Sequence, residues 1–95
     1  MAAYVIAENL GVSDPAGMQE YRSQVAATIE RYGGRFLVRG SAPQPLEADW
    51  KPAFVVIQFD SAEQARAWHD SPEYRPLRDL RQRCSDSRLV LFEGV

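Results

Sequence analysis

Residues 54–59 read FVVIQF, an almost unbroken apolar run rich in β-branched and aromatic side chains. A short run of this kind predicts a strand. Shorter runs at residues 4–7, 35–39 and 89–92 predict three more strands, and helical patterns separate the first strand from the second and the third from the fourth. The order β-α-β-β-α-β is that of the ferredoxin-like split βαβ arrangement. We therefore expect an α+β fold in a single domain over residues 1–95, with a four-stranded, mainly antiparallel sheet and both helices on one face.

The helical patterns have recognisable starts and ends. Asp14 can cap a helix and Pro15 is favoured at its first position, whereas Gly33-Gly34 ends it, because glycine readily takes the left-handed conformation of a helix C-terminus. The second pattern begins at Ser61, is interrupted by the Asp-Ser-Pro sequence at residues 70–72, and then resumes with Ser71 as cap and Pro72 at the first position. Apolar residues at helical spacing mark the inner sides: Met18, Tyr21, Val25, Ile29 and Tyr32 in the first pattern, and Trp68, Leu77, Leu80 and Cys84 in the second.

Residues 41–52 separate the second and third strands. Three prolines lie in this segment, and proline cannot donate a hydrogen bond to a central strand ladder. The segment is therefore predicted as an extended excursion or a ragged edge strand, with Trp50 near its end.

Alternation along the strands predicts that the sheet needs cover on both faces. One set of side chains is entirely apolar and is assigned to the helices: Val5, Ala7, Phe36, Val38, Val55, Ile57, Phe59, Val90 and Phe92. The other set mixes apolar and charged residues: Tyr4, Ile6, Glu8, Arg35, Leu37, Arg39, Phe54, Val56, Gln58, Leu89, Leu91 and Glu93. A mixed face of this kind would expose a large apolar patch, which usually marks an interface. We therefore expect a homodimer through this sheet face, the alternative being a monomer with an open face.

Composition and charge exclude several classes of function. The net charge of −2 argues against a general nucleic-acid binder, and no stretch approaches the length of a membrane span. The single cysteine allows no intrachain disulfide, and there is no Cys/His cluster with zinc-site spacing. Residues 1–10 lack the basic start and apolar length of a secretion signal. The expectation is a cytoplasmic, soluble protein that uses neither metal nor cofactor.

Two basic positions and the only histidine are candidate catalytic or binding residues. His69 is the only side chain with an unperturbed pKa near neutrality, so it could act as a general acid or base; a surface histidine at a helix end is the alternative. Arg39 and Arg35 share the mixed face, where a guanidinium could hold a carboxylate or an enolate, or could pair with a glutamate across the sheet or the dimer.

Aromatic residues supply the remaining candidates. Trp50, Tyr21, Tyr74 and Tyr32 could wall a pocket, with a phenol as hydrogen-bond donor. Tyr21 and Tyr32 fit equally a core position at helical spacing, whereas Trp50 and Tyr74 lie near breaks in regular structure, where pockets tend to open. The arginines at positions 75, 78 and 81 could form an anion-attracting ridge, although a solvated helix face explains them as well.

Several runs of sequence resemble the DUF1330 family, which belongs with the dimeric α/β-barrel proteins of ferredoxin-like fold. The resemblance covers nearly the whole chain. It is carried by Gln19-Glu20-Tyr21, the run GGRFLVRG at residues 33–40, Glu47 with Trp50, VVIQF at 55–59, AWHDSPEY at 67–74 and LFEGV at 91–95. The resemblance implies a dimer but no particular reaction, because the family has no assigned one and fold alone does not give function.

Two functions follow from these observations. One is a homodimeric domain that binds a small molecule of unknown identity. The other is a cofactor-independent enzyme, monooxygenase- or isomerase-like, acting on a carbonyl-bearing or aromatic small molecule. In the second case Arg39 would stabilise negative charge while His69 or Tyr74 moves a proton, and Trp50, Tyr21 and Arg35 would contact the ligand.

Overall fold

The computed structural model describes residues 1–50 and 53–95 and has the predicted order of elements. Residues 41–50 form neither helix nor strand, and the rest of the predicted excursion, residues 51 and 52, lies outside the described residues. The elements are β1 (Ala3–Val12), α1 (Pro15–Arg31), β2 (Arg35–Arg39), β3 (Ala53–Phe59), α2 (Ala62–His69), α3 (Arg75–Cys84) and β4 (Ser85–Glu93).

The four strands form one antiparallel sheet in the order β2-β3-β1-β4, as expected for the ferredoxin-like fold. β1 and β4 are longer than predicted because their pairing continues through polar sequence. After a register shift between Asn9 and Gly11, the ladder runs on to Val12 opposite Ser85. Backbone hydrogen bonds hold this extension regardless of side chain, so apolar alternation does not reveal it.

The register of β4 reverses its predicted facing. Val5 lies opposite Ile57 on one side and Leu91 on the other, and Ala7 lies opposite Leu89. Leu89 and Leu91 therefore face the helices, while Val90 and Phe92 lie on the open face and are about half exposed. The prediction for β4 was wrong because both of its side-chain rows are apolar, so alternation alone could not fix the phase.

A β-bulge in β2 changes which side its last residues face. Phe36 lies opposite Ile57 on the helix side, but after a register shift Val38 lies opposite Val56 and Arg39 opposite Val55. The extra residue moves Val38 to the open face and Arg39 to the helix side, which corrects the predicted positions of both.

The core lies between the helices and one face of the sheet. Its largest buried side chains are those of Trp68, Tyr74, Phe59 and Ile29. The predicted caps of α1 and α2 are present, since Asp14 accepts a hydrogen bond from Gly17 N at 3.2 Å and the Ser61 hydroxyl accepts from Gln64 N at 3.2 Å. With helices on one face only, the molecule measures 35 × 34 × 16 Å.

α3 begins later than the sequence predicts. The Ser71 hydroxyl accepts from Tyr74 N at 3.1 Å, but residues 71–74 form a turn and the helix starts at Arg75, with Pro76 in its first turn. Ser71 thus shapes the turn that places Tyr74 in the core.

Candidate functional site

A cleft of about 310 Å³ opens between α2 and the β1–β4 side of the sheet. We call it the α2–β4 cleft. Its floor is apolar, and its polar residues come from α2 and the residue that follows it. The lining residues are Val5, Ala65, Arg66, Trp68, His69, Asp70, Leu89, Val90 and Leu91. An apolar cavity with a few polar groups is the usual form of a small-molecule site.

Trp68 forms the inner wall of the cleft, and its ring belongs to a stack of aromatic rings that continues behind it into the core. The ring of Trp68 lies 4.1 Å from that of Tyr74 and 5.6 Å from that of Phe59, measured between centroids. The Trp68 indole donates from Nε1 to Thr28 Oγ1 at 3.0 Å, which satisfies its polar atom. The Ser71 hydroxyl also donates to Trp68 O at 2.7 Å. These bonds fix the wall to α1 and to the turn before α3.

His69 lies at the cleft with its imidazole partly exposed. Its ring centroid is 5.9 Å from that of Tyr74. Tyr74 is completely buried and does not line the cleft, so His69 is the one predicted catalytic residue that lines it. Burial lowers the pKa of His69 below its ordinary value of 6.5, and the cations of Arg78 and Arg81 lower it further, against the opposing effect of Asp70. The imidazole is therefore neutral at pH 7 and able to accept a proton.

Arg39, another predicted catalytic residue, lies far from this cleft. Arg39 lies on β2, at the opposite edge of the sheet from β4. Its Nη2 donates to Arg22 O at 2.9 Å, and its guanidinium lies 4.3 Å from the Phe36 ring centroid. These contacts tie β2 to α1, so the arrangement of Arg39, His69 and Tyr74 around one pocket is not found.

The predicted ligand-binding residues fall in three different places. Arg35 lies on the open face and donates to Gln58 Oε1 at 3.0 Å. Trp50 lies beside Phe54, with ring centroids 5.5 Å apart, in a second, more open cavity formed with residues 43–47. Tyr21 packs against the core, and its hydroxyl lies 2.9 Å from that of Tyr74.

The two tyrosine hydroxyls form a polar pair behind the aromatic wall. Burial and the neighbouring Tyr74 raise the pKa of Tyr21 far above its ordinary value, while Arg81 opposes the rise. Tyr21 is therefore a neutral phenol at any physiological pH. Tyr32, the other tyrosine of α1, instead donates to Glu73 Oε2 at 3.0 Å.

Sequence reasoning missed the burial of Arg81, which is only 6% exposed. Its Nη1 donates to Ser87 Oγ at 2.7 Å, and its Nε has no hydrogen-bond partner among residues 1–50 and 53–95. The signal was available in the spacing, because Leu77, Arg81 and Cys84 are four and three residues apart and all face inward. The arginines at positions 75, 78 and 81 were treated together as an anion-attracting ridge or a solvated helix face, whereas Arg75 is exposed, Arg78 is partly buried and Arg81 is buried.

Two further site types are not found in the described parts of the chain. Residues 1–50 and 53–95 contain no group of three or more His, Cys, Asp or Glu side chains that could hold a metal ion. Within the same ranges, no helix is both long and apolar enough to cross a bilayer.

Comparison with known proteins gives one family match and several structural likenesses. The family model described as "Domain of unknown function (DUF1330)" matches residues 2–95. A comparison with curated proteins gave no match.

Three solved structures illustrate the likeness of fold. A protein of unknown function from Rhodopseudomonas palustris, RPA0582, superposes with a TM-score of 0.70 at 18% identity, over 99% of this chain and 82% of that one. SnoaB from Streptomyces nogalater, a cofactor-independent oxygenase, gives 0.65 at 19% identity over 99% and 92%. Rv0793 from Mycobacterium tuberculosis gives 0.64 at 17% identity over 100% and 96%. At these identities the likeness shows the fold alone.

Proposed function

This chain belongs to the DUF1330 family of domains of unknown function, and on that premise we propose that it is a homodimeric domain that binds a small molecule in the α2–β4 cleft. The observation that carries the proposal is the cleft itself, with an apolar floor from Val5, Leu89 and Leu91 and a polar rim from α2. Its volume of about 310 Å³ lies at the lower end of the range of about 300–1,000 Å³ typical of small-molecule sites.

The open sheet face supports the homodimer. Apolar side chains cross it from edge to edge, with Val38 on β2, Val56 on β3, Ile6 on β1 and Val90 on β4. Val38, Val90 and Phe92 are 39%, 48% and 55% exposed in the single chain. Exposed apolar patches of this extent usually mark interfaces.

A second copy of the chain is the occupant that best fits this face. The polar residues of the face are already paired within it: Arg88 bonds Glu8 at 3.0 Å, and Arg35 bonds Gln58 at 3.0 Å. The face therefore does not require charged groups from a partner to pair with its own. A net charge of −2 also gives little repulsion between copies.

Light scattering after size exclusion tests the dimer. At micromolar concentration we expect about twice the chain mass of 10.7 kDa. Phe92→Glu, which places a charge on the half-exposed apolar face, should shift the mass toward that of one chain. Leu46→Glu is the matched control, because Leu46 is 98% exposed in the loop before β3. A wild-type mass near 10.7 kDa would contradict the homodimer.

Ligand binding is tested by NMR titration of labelled protein with a fragment library. We expect shift changes that cluster on residues lining the cleft, such as Ala65 and His69. Leu89→Trp, which fills part of the floor, should weaken binding at least several-fold, whereas Leu46→Trp in the distant loop should not. Shift changes confined to residues 43–50, or no binding at all, would contradict the proposal.

A cofactor-independent enzyme in the same cleft is the second candidate. The observation in its favour is a neutral His69 imidazole at the cleft, within reach of a bound molecule and able to accept a proton. Mass spectrometry of each ligand after incubation separates the two functions. A ligand recovered unchanged supports a binding domain. A ligand converted by the wild type but not by His69→Gln supports an enzyme.

A further inference from the structure

The outer edge of β4 carries backbone groups that pair with no other strand in the described parts of the chain. β4 lies at the end of the sheet and pairs only with β1 there. In an antiparallel strand, successive residues point their N–H and C=O groups alternately toward the two sides. Gly94 N donates to Ala2 O at 2.7 Å, so Gly94 points toward β1. Counting back through the unbroken register, the N–H and C=O groups of Leu89 and Leu91 point away from β1.

The hydrogen bonding at the opposite side of the sheet gives the same assignment. Gly40 N donates to Phe54 O at 3.0 Å, so Phe54 points toward β2 and the next residue, Val55, points toward β1. Val55 lies opposite Ala7, so Ala7 directs its backbone bonds to β3 and has none for Leu89, its neighbour in β4. Leu89 therefore directs its N–H and C=O groups outward.

The α2–β4 cleft opens at this edge. Leu89, Val90 and Leu91 all line it, although neighbouring side chains of a strand face opposite sides of the sheet, so the cleft reaches the edge of β4 itself. A molecule in the cleft therefore meets two leucine side chains and two outward-pointing pairs of a backbone donor and acceptor, roughly 7 Å apart. Val5, which lies opposite Leu91, also lines the cleft and extends its apolar floor inward at that position.

The part of β4 that lines the cleft lacks the features that protect strand edges from pairing. Proteins block such edges with short strands, β-bulges, prolines and charged side chains. The other edge strand, β2, is five residues long, contains a β-bulge and has an arginine at each end. β4 is nine residues long, and its LVLF run at residues 89–92 has neither a charge nor a proline and keeps an unbroken register with β1. This stretch is therefore suited to pairing with another strand.

We propose that the ligand of the α2–β4 cleft is a short peptide in extended conformation, added to β4 as an antiparallel strand. One residue of the peptide lies opposite Leu91 and exchanges two backbone hydrogen bonds with it. Residues directly opposite one another share a face of the sheet, so an apolar side chain at this peptide position enters the cleft. Addition of a strand to a sheet edge is a recurring way to bind peptides. The inference rests on the proposed function and adds the chemical class of the ligand.

A peptide fits this edge better than β4 of a second copy. A second copy would present its own row of Leu89 and Leu91 to the cleft. Those leucines already form the floor of that copy's cleft beneath its α2, so they are not free to fill another. A separate peptide brings a side chain without this constraint. Because the added strand lies in the plane of the sheet, it is also compatible with a homodimer that forms through the open face.

Three small probes test the backbone pairing and the side-chain contact. Labelled protein is titrated with N-acetyl-L-phenylalanine methylamide and with its ester analogue, in which an oxygen atom replaces the N–H of the phenylalanine. We expect both to shift the resonances of cleft residues, and the amide to bind about fivefold more tightly, the usual contribution of one hydrogen bond. N-acetyl-L-alanine methylamide keeps the backbone groups but lacks the ring, so it should bind roughly tenfold more weakly than the phenylalanine amide.

Hydrogen exchange locates the added strand in the wild-type protein. The Leu91 amide should exchange quickly in the free protein and several-fold more slowly with saturating phenylalanine amide. The Phe92 amide, which points toward β1, should exchange slowly in both states and serves as the internal control. A Leu91 amide already protected without probe at low protein concentration would overturn the proposal, because that group would then be bonded within the protein. Protection that grows with protein concentration would show that a second copy occupies the edge, and would overturn the peptide as its occupant.

Leu91→Pro removes the outward donor from the protein. Proline is tolerated in an edge strand where the N–H would face solvent, so the pairing of β4 with β1 should persist. We expect this variant to bind the phenylalanine amide about fivefold more weakly than Leu91→Ala, which shortens the same side chain but keeps the N–H. Glu93→Pro is a second control, because the Glu93 N–H also points outward but Glu93 does not line the cleft, and its affinity should match that of the wild type. Equal losses in Leu91→Pro and Glu93→Pro would overturn the assignment to Leu91.

The wild-type titrations and exchange rates separate failure of this inference from failure of the proposed function, and they hold even where Leu91→Pro does not fold. Equal affinity for the amide and the ester in the cleft would overturn the strand pairing and leave the binding function standing. Absence of binding by the three probes, with other fragments still bound in the cleft, would have the same meaning. Absence of binding by the three probes and by the fragment library would overturn both proposals.

Discussion

The hydroxyl oxygens of Tyr21 and Tyr74 lie 2.9 Å apart and join α1 to the turn before α3, residues 53 positions apart in sequence. Tyr74 is completely buried, and its ring packs against those of Trp68 and His69. The pair therefore positions the wall of the α2–β4 cleft from behind. It also places the Tyr21 hydroxyl within hydrogen-bonding distance of the buried Arg81 guanidinium, which opposes the rise in the pKa of Tyr21.

The first prediction concerns this tyrosine pair. Tyr21→Phe leaves the buried Tyr74 hydroxyl without its partner, so we expect a loss of about 1–3 kcal/mol in the free energy of unfolding. Tyr74→Phe should cost less, because Tyr21 is only partly buried. The double variant should cost clearly less than the sum of the single changes, and urea unfolding of all four proteins measures this coupling. Strictly additive costs would show that the two hydroxyls do not stabilise one another.

The second prediction concerns Gly17, in the first turn of α1. Gly to Ala inside a helix usually stabilises by about 1 kcal/mol. At this position an added Cβ would overlap Cys84 Sγ and approach Asp14 Oδ2 to 2.9 Å. We therefore expect Gly17→Ala to destabilise the protein by about 1–3 kcal/mol, the usual cost of overpacking.

Removing the thiol tests the cause of that loss. Gly17→Ala combined with Cys84→Ala should recover most of the stability, because the overlapping sulfur is gone. Thermal unfolding of the single and double variants shows whether the overlap with the sulfur causes the loss of stability. A Gly17→Ala protein as stable as the wild type would show that α1 moves away from α3 at little cost.

The sequence predicted the fold because element order and capping residues are local signals, and local signals agree here with the tertiary structure. The phase of β4 could not be predicted, since Leu89 and Val90 are equally apolar and only the pairing with β1 assigns them to opposite faces. Arg39 was misplaced for a related reason. The β-bulge at Leu37 is a property of strand pairing and leaves no alternation signal in a five-residue strand.

The candidate site was partly predictable. His69 and Tyr74, both named as candidate catalytic residues, lie on either side of the break at residues 70–72, and their ring centroids are 5.9 Å apart. The burial of Arg81 was not predicted because arginine is usually solvated, although Arg81 shares the spacing of Leu77 and Cys84. The depth of its burial depends on how α3 packs against α1 and β4, and the helical pattern alone does not specify that packing.

The third prediction concerns the pH dependence of stability. The pKa of His69 is lower in the folded protein than its ordinary value of 6.5, chiefly through burial and then through Arg78. The unfolded chain therefore binds a proton more readily, so stability is full above pH 6.5 and is lost as the pH falls below it. The His69→Gln variant should lack this contribution to the dependence of stability on pH.

Melting temperatures between pH 5.5 and 7.5 measure this effect above the range in which carboxylates titrate. As the pH falls, we expect the melting temperature of the wild type to decrease relative to that of His69→Gln. Gln64→His, which adds a histidine at another partly exposed position of α2, serves as a control for simple addition of charge. Parallel curves for wild type and His69→Gln would contradict a lowered pKa.

The fourth prediction concerns the energetic cost of Arg81. A buried charge without a counter-ion opposes folding, and replacement of buried ionic groups by apolar ones of similar size is often neutral or stabilising by about 1–4 kcal/mol. Arg81→Met should therefore be at least as stable as the wild type in urea unfolding. Removing the guanidinium does not leave the Ser87 hydroxyl without a hydrogen-bond partner, because it lies 2.9 Å from the Ser85 hydroxyl.

Two control variants on the same helix are needed to interpret the stability of Arg81→Met. Leu77→Ala, one turn earlier on the buried stripe, should lose about 2–5 kcal/mol, which shows that the packing of α3 matters to the fold. Arg83→Met, at an exposed position, should stay within about 0.5 kcal/mol of the wild type. A loss of more than about 1 kcal/mol in Arg81→Met would mean that the cation is satisfied within the protein. Stability equal to or above the wild type would instead mean that the buried charge of Arg81 opposes folding.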